Sequence, residues 1–308
     1  MSPSISTPRY GFVGVGTMSS AIVRGLCTLP APPSKVVLSP RGTAKAAALQ
    51  AEFPRIIEIA KTNQDVVDQC DVCFLGVLPK QMEEVVGSLT FDKRHTIVSL
   101  ASTTPMAVLH SKCAPVPPEN IVRAIPLPPV AKHVGSCLMT PDHPLVYALF
   151  DALGTCVPVA NEEQLRKMLP VTCLMGQFYA QQLATQRWLV EQGVEPASAA
   201  KWTGAVFHSI TYDSAKPTTH TFEELVAEQT PGGLNEQVIR EMTEAGAYAA
   251  LDDCLDAVLA RVEARPRAEL TKRSYDASPV RKPAPKWMAP AVSALALAAV
   301  FVFRPRLA

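Results

Sequence analysis

The amino-acid sequence predicts an α/β chain in which a Rossmann-type doubly wound sheet is followed by an all-α dimerisation domain and a C-terminal apolar tail helix. Three observations carry this prediction. Residues 10–22, YGFVGVGTMSSAI, set an apolar strand ahead of Gly14-Val15-Gly16 and a helix-compatible run behind it. Up to about residue 160, short apolar runs alternate with helical patterns, as a mostly parallel sheet requires. From 161 to about 264 the strand-like runs stop and only helical patterns remain.

In the opening segment, Gly14 would supply a tight turn and Gly16 would let the backbone approach a pyrophosphate. The N–H groups around Thr17 and Met18 would hold the phosphate charge at a helix N-terminus. Ser19 replaces the third glycine of the dinucleotide fingerprint and is small enough for helix–strand packing. The same residues also suit a strand–turn–helix without nucleotide, but the segments that follow favour a dinucleotide fold. Further strands are expected at 35–39, 56–60, 72–77, 96–100, 121–125, 136–139 and 155–159. Helices are expected at 19–29, 41–53, 64–69, 81–89, 106–112 and 145–153. These elements make a nucleotide-binding domain over 9–160, behind a flexible N-terminus of residues 1–8.

The second domain, 161–264, reads as helices at 164–192, 196–214, 221–228, 234–245 and 248–262. A mixed apolar surface on long helices suits dimerisation. Residues 265–286 are polar and hold Pro266, Pro279, Pro283 and Pro285, so a Pro-rich linker is expected. Residues 287–303, WMAPAVSALALAAVFVF, carry no charge and lie between Lys286 and Arg304. As a helix this run spans about 26 Å at ~1.5 Å per residue. A bilayer core is ~30 Å thick, so basic flanks would have to snorkel. The expectation is a tail anchor in the mitochondrial outer membrane or endoplasmic reticulum, with the domains facing the cytosol; without the anchor the chain would be cytoplasmic. A helix docked on the second domain is the competing reading.

A formal net charge of +1 gives no basis for binding nucleic acid. Eight cysteines at irregular spacing suit reduced thiols, and no metal site is expected. Cys70 and Cys73 form a CxxC by spelling only, since residues three apart on a strand would face opposite ways. Residues 1–8 lack the features of an N-terminal signal. At the end of the second strand, Ser39-Pro40-Arg41 contains no acid for a ribose diol. A hydroxyl and a guanidinium suit a 2′-phosphate, so NADPH is expected ahead of NADH. Arg41 as a solvated residue opening a helix is the plainer alternative.

With these segments in view, the chain resembles the pyrroline-5-carboxylate reductase family over residues 9–263. GFVGVGTMSSAIVRGL resembles the family's opening, and DVCFLGVLP resembles its Asp-led strand ending in Val-Lys-Pro. Residues 122–126, VRAIP, stand where the family has Val-Arg-Val-Met-Pro, and Thr230-Pro231-Gly232-Gly233 matches Ser-Pro-Gly-Gly. The resemblance implies reduction of a cyclic imine carboxylate to proline by a nicotinamide cofactor. It also implies a homodimer or higher homo-oligomer, and cofactor contacts at Val77, Leu78, Pro79 and Ala101. The departures fall on polar positions. Leu78 replaces the family Lys, Leu127 and Pro128 replace Asn-Thr, and residues 174–180, LMGQFYA, replace the Leu-Ser-Gly-Ser-Gly-Pro-Ala loop. Each charge-assisted hydrogen bond lost is worth about 1.5–3 kcal/mol, so the substrate itself is open.

Candidate chemistry follows from residue type and from the resemblance. Tyr179, one helical turn after Met175, could donate a proton to an imine or a carbonyl oxygen; a core or interface tyrosine is the alternative. Thr230 could cap the helix from 234 and help present N–H groups to an anion; capping alone would also explain it. Asn235, in place of a family threonine, could donate a hydrogen bond. Gly176, Gln177, Thr230, Gly232 and Gly233 complete the candidate substrate-binding set, while His208 and His220 read as ordinary helix or loop residues. Two functions remain: an NADPH-dependent imine reductase, or a catalytically impaired, membrane-tethered nucleotide-binding dimer acting as an interaction module.

Overall fold

Strand alternation is plain in the burial of the first half. Phe12, Val36, Leu38, Val72 and Phe74 pack into one apolar cluster. Val13, Val37, Cys73 and Leu75 pack into another. A period of two with both faces buried is what a sheet covered on both sides requires. The structure, a computed structural model, describes residues 8–215 and 217–266. The strands are β1 (Tyr10–Val13), β2 (Val36–Leu38), β3 (Ile57–Ile59), β4 (Val72–Leu75), β5 (Thr96–Ser99), β6 (Ile121–Pro126), β7 (Gly135–Thr140) and β8 (Gly154–Pro158). Their order in the sheet is β3-β2-β1-β4-β5-β6-β7-β8. All neighbours are parallel except β6 and β7.

The helices between the strands are α1 (Thr17–Cys27), α2 (Thr43–Glu52), α3 (Asn63–Asp68), α4 (Pro79–Gly87), α5 (Met106–Lys112) and α6 (Pro144–Ala152). Buried residues of α1, α2 and α6 join the first cluster, and those of α3, α4 and α5 join the second. Phe12 and Phe74 stack at 4.4 Å beneath the first group. Local chemistry sets the helix starts. Thr62 and Asp65 form a capping box on α3, at 3.1 and 2.9 Å. Pro79 stands at the start of α4, where its missing N–H has no helical partner to lose.

By compactness the described chain separates into one unit of residues 8–183 with 252–266, and another of 184–251. The first holds the sheet, α7 (Glu162–Thr172) and parts of α8 (Leu174–Glu191) and α12 (Ala247–Val262). Leu165 and Leu169 of α7 pack on Leu138 and Val159. The second unit is wholly helical and includes α9 (Pro196–Asp213), α10 (Thr221–Ala227) and α11 (Leu234–Glu244).

Three sequence expectations change. The single helix at 164–192 is two, because Pro170 lies within α7 and that helix closes at Cys173; proline lacks the N–H that a continuing helix needs. Cys70 lies ahead of β4, after the end of α3, so strand alternation does not apply to it. Its thiol hydrogen-bonds that of Cys73 inside one apolar cluster; that bond and burial push the Cys73 thiol well above its ordinary pKa. Thr230 does not cap α11, whose N-cap is Gly233 without a side-chain cap. The proposed linker beyond residue 266 and the tail at 287–303 lie outside the described residues. Among the described residues, no helix is long and apolar enough to cross a membrane.

Candidate functional site

The order β3-β2-β1-β4 reverses direction at β1, and ligands of open α/β sheets bind outside the carboxyl ends of strands at such a point. Three loops meet there. The loop after β1 carries Gly14, Gly16, Thr17 and Met18. The loop after β4 carries Gly76, Val77, Leu78 and Pro79. The loop after β5 carries Ala101. Main-chain bonds continue the sheet into them: Gly76 N–H donates to Val13 at 2.8 Å, Leu100 N–H to Leu75 at 3.0 Å, and Ser39 N–H to Phe12 at 2.9 Å.

The first loop is shaped by glycine. Gly14 has φ +94°, and a Cβ there would stand 2.8 Å from the Gly76 carbonyl oxygen. A Cβ on Gly76 would in turn stand 2.8 Å from the Gly14 carbonyl oxygen. Both residues must lack side chains for the loops to touch. Ser19 does more than pack: its hydroxyl donates to the Gly14 carbonyl at 2.7 Å. Gly16 is different. It is the N-cap of α1, and among the described residues the only atom near its would-be Cβ is the Gly76 oxygen at 3.9 Å. The approach to the α1 N-terminus is therefore open, which fits a pyrophosphate held by main-chain N–H groups.

At the end of β2, Ser39 is wholly buried, and its hydroxyl accepts from Gly14 N–H at 3.0 Å. The serine thus braces the turn after β1, while Arg41 lies exposed at the surface. Sequence reasoning missed a second cation here. Lys45 on α2 donates to the Thr17 hydroxyl at 3.0 Å, which sets an ammonium beside the first turn of α1. Its signal was a second basic residue four positions after Arg41.

Val77 is half-buried, Ala101 is buried, and Leu78 is 68% exposed at the N-cap of α4. Of the remaining predicted residues, Gly176, Gln177 and Tyr179 lie on α8 in the first unit, with Tyr179 exposed. Thr230, Gly232, Gly233 and Asn235 lie in the second unit. There Gly233 N–H donates to the Thr230 carbonyl at 2.9 Å, and Asn235 Nδ2 donates to Gln229 Oε1 at 2.8 Å. Gly232 N–H donates to the Glu236 carboxylate. A carboxylate from the chain itself therefore occupies one of the N–H groups expected to meet an anion.

Arg123 was missed as well. It pairs along the sheet with Ser99 and is 1% exposed, and its Nη1 meets Glu162 Oε1 at 2.6 Å. A single charged residue in an otherwise apolar strand was its signal.

Residues 9–103 match the family described as NADP oxidoreductase, coenzyme F420-dependent. A pyrroline-5-carboxylate reductase of Pseudomonas aeruginosa is 30% identical over 134 residues, covering 43% of this chain and 48% of that protein. The chain thus spans about half the length of that relative. The pyrroline-5-carboxylate reductase of Escherichia coli is 25% identical over 273 residues, 83% of this chain and 97% of the relative. A solved pyrroline-5-carboxylate reductase from Coxiella burnetii superposes with a TM-score of 0.72 at 19% identity, covering 84% of this chain and 98% of the other, a likeness of fold. The glycine-shaped loop, the sheet order and these similarities agree: over most of its length the chain is similar to pyrroline-5-carboxylate reductases.

Proposed function

We propose that the protein is an NADPH-dependent reductase of a cyclic imine, pyrroline-5-carboxylate or a less polar relative. The observation that carries this reading is the open α1 N-terminus beside Gly16, with Ser39 bracing the preceding turn at Gly14 and Lys45 beside Thr17. The N–H groups of Thr17 and Met18 would hold the pyrophosphate. Arg41 and Lys45 would face the 2′-phosphate, where no acid competes. The nicotinamide supplies the hydride. The protein's part is to hold donor and acceptor carbons in contact and exclude water. A protonated imine needs no strong general acid, so Tyr179 would serve as a hydrogen-bond donor to the substrate. Leu78 and Leu127, in place of polar family residues, favour a less polar substrate. The test is NADPH oxidation with racemic pyrroline-5-carboxylate and a panel of uncharged cyclic imines. No turnover with any of them, while NADPH still binds, would leave a nucleotide-binding module instead.

The second unit supports association. Among its described residues only Ala199 and Thr203 are buried, while Trp188, Trp202, Phe222 and Leu234 are exposed. Helices without a core of their own need a partner surface, and a second copy with the same helices supplies one. Thr230, Gly232 and Gly233 would then serve the substrate within that assembly. We further propose that residues 287–303 anchor the chain in a membrane. A fluorescent fusion with and without 287–308, extracted with alkaline carbonate, tests this: a soluble full-length fusion ends the idea.

A further inference from the structure

A cavity of about 530 Å³ lies within the first unit, walled by the β5–α5 loop, α7 and the end of α12. Its polar lining includes Ser102, Thr103, Arg123, Glu162, Arg166 and Arg265. The volume is that of a small-molecule site.

Among the described lining residues the charges do not balance. Glu263 meets Arg265 at 2.6 Å. The other carboxylate, Glu162, meets two guanidinium groups: Arg123 at 2.6 Å and Arg166 at 3.9 Å. Three arginines therefore face two glutamates, and the surplus lies at Arg166. Arg123 adds a second, independent observation. It is 1% exposed, yet its Nε and Nη2 have no acceptor among the described residues. A buried guanidinium with donors unmet is costly, and an anionic oxygen is the acceptor that lowers this cost most. Glu162 holds one edge of the Arg123 fork, so the group is fixed before any ligand arrives.

We propose that this cavity binds a small oxyanion, a carboxylate or a phosphate, with Arg166 and Arg123 as cationic partners and the Ser102 and Thr103 hydroxyls as donors. The site is additional to the cofactor loops. It adjoins them, because Ser102 follows Ala101 directly. The occupant is either the carboxylate of the reacting molecule or a separate phosphate-bearing ligand.

The experiment is calorimetric titration of the full chain with inorganic phosphate, L-proline and pyrrolidine, using wild type and Arg166→Gln. Arg166 is partly exposed, so the variant should keep its fold, checked by its melting temperature. Phosphate or L-proline should bind wild type, and Arg166→Gln should raise that Kd at least tenfold. Pyrrolidine, which lacks the carboxylate, should bind neither. Displacement of phosphate by L-proline would assign the site to the reacting molecule's carboxylate; phosphate binding without L-proline binding would assign it to a separate ligand. Equal Kd values in wild type and Arg166→Gln, or no anion binding to wild type, would overturn the proposal. Phosphate held at the α1 N-terminus would also survive Arg166→Gln unchanged, and so counts against it. None of these readouts needs turnover, so a failed imine reduction would leave the anion site standing.

Discussion

The hydroxyl of Ser39, at the end of β2, accepts a hydrogen bond from the N–H of Gly14 at 3.0 Å, and Ser39 is wholly buried. The second strand thereby holds the turn that follows the first. Ser39→Ala would leave the Gly14 N–H unpaired at a cost of about 1–3 kcal/mol. Because the turn serves any dinucleotide, NADPH and NADH should weaken together. Arg41→Ala and Lys45→Ala should instead weaken NADPH about tenfold each and leave NADH unchanged, since each removes a charge from the 2′-phosphate alone. Fluorescence titration of both cofactors separates the two patterns. An unchanged NADPH affinity in Arg41→Ala would remove that residue from the site.

Gly14 and Gly16 should fail in different ways. Gly14→Val forces a branched side chain to φ +94° and into the Gly76 carbonyl, so it should lower the melting temperature or prevent folding. At Gly16 an added Cβ meets nothing nearer than the Gly76 oxygen at 3.9 Å among the described residues, so in Gly16→Val the fold should survive while dinucleotide binding is lost. Circular dichroism with cofactor titration decides; a Gly16→Val protein that binds NADPH normally would refute the pyrophosphate assignment.

Glu162→Gln should destabilise the first unit by about 2–4 kcal/mol, because it leaves the buried Arg123 guanidinium uncompensated. The lower part of that span is expected, since Glu162 is 28% exposed. Urea denaturation measures it. Replacing both partners, Arg123→Met with Glu162→Gln, should recover most of the loss.

The acid limb of stability should depend on Asp71. Hydrogen bonds from Arg9, aided by the charge of Arg94, hold its carboxyl at a pKa of about 2 against an ordinary 3.8. A lowered carboxylate pKa adds stability that is complete above the unfolded value. It is lost as pH falls from about 4 through about 2. The side chain is 40% exposed, so solvent screening limits the effect to about 1 kcal/mol. Asp71→Asn should flatten that part of the pH–stability curve while changing cofactor affinity little.

A chain ending at Glu263 should elute, without detergent, at twice its monomer mass or more. Sedimentation equilibrium gives the order of association. A folded, active monomer would refute the view that the exposed aromatics of the second unit are covered by another copy.

Most of the first half was legible because strand and helix signals are local. The apolar runs at 10–15 and 72–77 placed their strands to within two residues. What local pattern could not show was the break at Cys173, where the helical composition continues across Pro170. The adjacency of Cys70 and Cys73 was hidden for a similar reason: one residue lies on the strand and the other before it.

The sequence by itself determined the fold class, the strand and helix segments of the first half and the glycine turn, because these depend on local apolar runs and on backbone freedom at Gly14. Only the tertiary structure decided which residues work together. Ser39 reaches Gly14 across 25 positions, Lys45 reaches Thr17 across 28, and Arg123 reaches Glu162 across 39. Such pairings follow from how parallel strands and their crossover helices stack, and no local pattern along the chain records that stacking.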